Sequence, residues 1–203
     1  MWLTRSFFIN GTNIVCGLER VKQLASQENL FATIPDNWIA NKKQFNYLIS
    51  ILIKMDSHLV RLITHMLIDE HSLYNFLNLP FPYLKSMNMK GGNCEATALN
   101  LDLAANGLYY QRFQTSKEVL KAVMIIIGIT RHQMWVYDDQ NKRFFIPAEN
   151  KKMQLNILAI RLINDTNKKY KLNLNAEYAH ELDKVLKNKS QQKRLVSYLW
   201  LAD

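Results

Sequence analysis

Cysteine is scarce in this chain of 203 residues: there are two, Cys16 and Cys94. A disulfide framework is therefore excluded as the organising device, and a thiol that works in the reduced state is permitted. No stretch of 18 apolar residues occurs. The longest apolar region, Phe45 to Leu67, is broken by Lys54, Asp56, His58 and Arg61, so no membrane-spanning helix is expected. The N-terminus lacks a basic region followed by a long apolar core and a small-residue cleavage site, so no signal peptide is expected. Together these point to a cytoplasmic setting, or to export into a host cytosol without a classical signal. Acidic residues are in deficit, 17 against 26 basic, for a net charge of +9. Such a balance favours anionic partners. Lysines gather between Lys142 and Lys152 and again from Lys168 to Arg194; a solvated basic face would account for the same residues. Internal repeats and low-complexity linkers are also missing. The chain reads as a single domain over 1–203, with a core at about 37–150 and a basic helical C-terminal extension at about 165–203. Its length suffices for an ordinary core without metal or disulfide staples.

Hydrophobic periodicity supplies the elements. Ser6 to Ile9 and Thr12 to Val15, joined by Asn10-Gly11, read as a hairpin with a tight turn. A short helix between Val15 and Leu24 is the alternative. From Asn37 to about Asn78, apolar residues recur at three- and four-residue steps, which predicts helices, with a break at Asp56-Ser57 and Ser57 as a cap. Pro80 and Pro82 force an extended path. Tyr109 to Phe113 reads as a strand. Lys121 to Thr130, dense in β-branched residues, reads as a buried central strand. His132 to Tyr137 and Arg143 to Ile146 form a second hairpin about Asp138 to Asn141. Leu155 to Ile163 fits strand or helix. Asn175 to Leu201 reads as a long basic helix capped by Asn175.

The chemistry centres on Gly91-Gly92-Asn93-Cys94. Cys94, Ala98, Leu101 and Ala105 share one helical face, which places the thiol on the first turn of a helix ending at Asn106-Gly107. A helix N-terminus and a nearby imidazole both lower a thiol pKa. The two glycines permit a sharp turn and the close approach of a substrate. His132, 38 residues on, supplies the imidazole. An imidazole acting as a base needs a partner on its other nitrogen. A turn centred on Gln140-Asn141 sets Glu149 opposite His132, with Cβ atoms roughly 5 Å apart; Glu149 or its neighbour Asn150 is the candidate. Asp138 shares the His132 face but lies roughly 20 Å along the strand, and Asp139 points to the other face. Asp165 is a remote alternative. A donor for an oxyanion is sought at Asn88 or Asn93. His58, His65 and His71, with Asp69, offer no clear third ligand, so no metal is expected. No cofactor is expected either.

A Cys at a helix start with a His opening a following hairpin resembles the papain-like and transglutaminase-like superfamily, over Lys90 to about Asn150. The Gly-Gly-x-Cys element is also similar to that of arylamine N-acetyltransferases, but the residues after Cys94 depart from their pattern. The resemblance implies an α+β fold, with a helical N-terminal half packed on a small antiparallel sheet. It also matches Asn88 to the position of the papain-like glutamine. The family's Asp before Pro is absent: Ile146 precedes Pro147. The implied activity is cysteine-dependent acyl transfer on a protein carboxamide or peptide bond. Cys94 would attack and His132 would shuttle the proton, as in a deamidase, transglutaminase or thiol peptidase, and the partner would be a protein substrate with an acidic surface. By analogy this would suit a bacterial effector or toxin. The alternatives are a catalytically inactive binding module of the same core, and an acyl-CoA-dependent N-acyltransferase. A nucleic-acid binder is disfavoured, because no recognised motif accompanies the basic residues.

Overall fold

The computed structural model describes residues 5–9, 12–16, 34–68, 70–81, 85–106, 115–138, 140–141, 143–150 and 154–187. It divides into two compact units, Met1–Thr33 and Ile34–Asp203. In the first, β1 (Arg5–Ile9) pairs antiparallel with β2 (Thr12–Cys16), from Arg5 opposite Cys16 to Ile9 opposite Thr12. Asn10-Gly11 is thus a two-residue connection, the length at which such a pair favours a hairpin. The alternative helix from Val15 to Leu24 falls mostly outside the described residues.

The second unit is built from helices. Asn41 caps α1 (Lys42–Leu52), accepting from the Gln44 N–H at 3.2 Å. The cap of α2 (Ser57–Met66) is Asp56, which accepts from the His58 N–H at 2.8 Å. Ser57, the expected cap, is already the first helical residue, and the carboxylate before it also suits the positive end of the helix. Then follow α3 (Glu70–Asn78), a 3₁₀ turn at Lys85–Met87 and α4 (Gly92–Asn106). Next is α5 (Lys117–Thr130), capped by the Ser116 hydroxyl, which accepts from the Val119 N–H at 3.2 Å. A second hairpin joins β3 (Val136–Asp138) to β4 (Arg143–Phe145). The chain ends its described part with α6 (Leu155–Tyr170) and α7 (Ala176–Lys187).

The core lies around α5. Every residue from Ala122 to Thr130 is buried, and α5 packs against α2, α3, α4, α6 and α7. A helix apolar all round is a helix enclosed by others. This corrects the expectation of a central strand at Lys121–Thr130: the β-branched run is one stretch of a 14-residue capped helix, and packing overrides its strand propensity.

The α+β expectation is likewise overturned. The second unit is predominantly helical, and among the described residues strand is confined to two short two-stranded ladders. Helices pack on helices here, and among the described residues no papain-like or transglutaminase-like arrangement of helices against an antiparallel sheet is present. Leu155–Ile163, read as strand or helix, begins α6, and both α6 and α7, which lies in the expected basic extension, pack against α5. Tyr109–Phe113, the end of the basic helix beyond Lys187, Asp139 and Asp69 lie outside the described residues. No helix among those described is long and apolar enough to cross a membrane.

Candidate functional site

Backbone geometry at Gly91-Gly92 explains the glycines without a substrate. Gly91 has φ +87°, which a side chain disfavours, and a Cβ there would lie 2.6 Å from Ala40 Cβ. A Cβ at Gly92 would overlap the Met87 carbonyl oxygen and sit 2.9 Å from the Phe81 nitrogen. The chain folds tightly on itself at this point. Phe81 N–H donates to the Met87 carbonyl at 2.9 Å, Gly91 N–H to the Asn78 carbonyl at 3.1 Å, and Asn93 N–H to the Leu79 carbonyl at 2.9 Å. The space beside the glycines is filled by the Ala40 side chain at Gly91 and by backbone at Gly92.

Asn93 is fully buried and all of its amide is committed. Its Nδ2 donates to the Gly128 carbonyl at 3.0 Å and the Phe76 carbonyl at 3.3 Å. Its Oδ1 accepts from Arg131 Nη1 at 2.7 Å. Arg131 is itself buried, with its guanidinium 4.7 Å from the centre of the Phe81 ring. A buried charge demands such partners. Asn93 is therefore a tie between α3, α4, α5 and the turn after α5, and has no donor left for an oxyanion. The other oxyanion candidate, Asn88, is exposed in the loop before α4.

Cys94 does lie on the first turn of α4, and its face-mates Ala98 and Leu101 are buried with it. The thiol is 3% exposed. Burial, with the neighbouring Glu95 charge, pushes its pKa up to about 12. Among the described residues it has no hydrogen-bond partner. Desolvation by burial disfavours the thiolate, and the thiol is held neutral.

His132 stands in a 3₁₀ turn, Arg131–Gln133, that runs straight on from α5. Its Nδ1 meets the Ile129 carbonyl at 2.5 Å. A carbonyl only accepts, so Nδ1 carries a proton. The ring stands edge-on to His71, centroids 6.5 Å apart, and His71 Nε2 lies 2.9 Å from Asn75 Nδ2.

The candidates for the third catalytic position stand in and beside the second hairpin and on α6. The β3–β4 register, Val136 opposite Phe145 to Asp138 opposite Arg143, is that of a turn centred on Gln140-Asn141, as the sequence suggests. The ladder stops at Val136, however, and His132 is no longer extended, so the opposition to Glu149 is lost. Glu149 is exposed in a turn. Asn150 donates through Nδ2 to the Met134 carbonyl at 3.2 Å, pinning the end of the hairpin. Asp138 serves the turn itself: hydrogen bonds from the Asn141 side chain first, and from the Asn141 and Gln140 N–H groups, hold its carboxyl below the usual range. Asp165 pairs with Arg161 at 3.5 Å on the exposed side of α6.

The residues that sequence reading passed over are Arg131, Phe81 and Gly128. A Cβ at Gly128 would overlap Thr97 Oγ1, so α4 and α5 touch closely there. Arg131, at the end of an apolar run, is the one signal that pointed to a buried charge needing partners. Among the described residues no group of three or more His, Cys, Asp or Glu is placed to hold a metal ion. No family model, curated protein or solved structure matches the chain.

Proposed function

We propose that this protein is a non-catalytic binding module that engages an acidic protein surface. The observation that carries the reading is the closure at Cys94: a thiol 3% exposed, its pKa raised to about 12, on a helix start whose glycines abut Ala40, Met87 and Phe81. The partner class follows from the +9 charge. The test is the alkylation rate of Cys94 by iodoacetamide against pH, in a Cys16→Ser background, native and in urea. The module reading expects native Cys94 to react far more slowly than the unfolded chain from about pH 6 to 9. A rate plateau reached below about pH 7 and lost in His132→Ala would overturn it.

One observation favours a second reading, cysteine-dependent acyl transfer. The 2.7 Å bond between Arg131 and Asn93 joins the residues that directly precede His132 and Cys94. Catalysis would require the first turn of α4 to open and expose the thiol. The same alkylation profile separates the two readings.

A further inference from the structure

We draw no further inference here: the strongest candidate, the pair of imidazoles His71 and His132 where α3 meets the turn after α5, stands edge-on with ring centres 6.5 Å apart, and it carries nothing because no third metal ligand joins the two among the described residues and nothing in the structure shows their nitrogens converging on one point.

Discussion

A methyl group at Gly92 would overlap the Met87 carbonyl oxygen and press on the Phe81 nitrogen, both of them backbone. Neither can rotate away, so the turn before α4 would have to shift as a whole. At Gly128 the first obstacle is the Thr97 hydroxyl, a side chain that can turn at the cost of its 2.8 Å bond to the Asn93 carbonyl. Gly92→Ala is expected to cost about 3 kcal/mol or more in urea unfolding, and Gly128→Ala about 1–2 kcal/mol. The order is the decisive outcome: a mild Gly92→Ala would mean that the glycine serves an open site. Asn93→Ala removes the acceptor of buried Arg131 and both donors to the Gly128 and Phe76 carbonyls. About 2–4 kcal/mol of stability should go with them, read from the same urea curves. A group with a purely catalytic role would leave stability nearly unchanged. At this scale the sequence shows which residues matter, since Gly91, Gly92, Asn93 and Cys94 all stand where the chain folds closely on itself. It does not show why, because a glycine pair before a cysteine looks the same whether the space beside it admits a substrate or a neighbouring carbonyl.

Elements are tied at their ends, and one tie is pH-dependent. Glu181 on α7 accepts from the Thr115 hydroxyl at 2.7 Å and the Ser116 N–H at 3.2 Å, where α5 begins. The Thr115 bond, the largest influence, and those of Ser116 hold its carboxyl below the ordinary 4.5. A depressed carboxyl contributes stability that is present above its unfolded pKa and lost as pH falls through its folded pKa. Glu181→Gln should therefore destabilise by no more than about 1 kcal/mol at neutral pH, given its partial exposure. The gap between the two proteins should close in urea titrations as pH falls below about 4. A gap unchanged down to pH 3 would show that the carboxylate is not the tie. Hairpins are the elements most legible in the sequence. Asn10-Gly11 sets the β1–β2 pairing, and the Asp138-to-Asn141 turn sets the β3–β4 pairing, because loop length fixes register. The opposition of His132 and Glu149 failed for a local reason: the 3₁₀ turn at Arg131–Gln133 prolongs α5 and uses up the residues that would have extended the strand.

On the scale of the whole molecule, the decisive element is the one that sequence pattern describes worst. A helix enclosed on every side loses the polar stripe that reveals its period, so Val123 to Ile127 carries the same pattern as a buried strand. Ser116 with its bond to the Val119 N–H marks the true start. Reading that cap together with a 14-residue span would have favoured helix, since buried strands run shorter. The consequence for stability is that α5 cannot open unless α2, α3, α4, α6 and α7 all separate from it. Its amides should therefore exchange only through global unfolding, whereas α1 and α7, each packed along fewer neighbours, should open locally. Native-state hydrogen exchange should find the slowest contiguous block within Leu120–Thr130, with protection matching the global unfolding free energy from urea. A slowest block elsewhere, or fast exchange through Ile125–Ile127, would mean that α5 is not the hub. The same experiment bears on function. The first turn of α4 is held to α5 through Asn93 and the Gly128 carbonyl, so a closed site predicts that the Glu95 and Ala96 amides are protected nearly as well as α5. Local opening there, well below the global free energy, would expose Cys94 often enough for chemistry and would shift the weight towards acyl transfer.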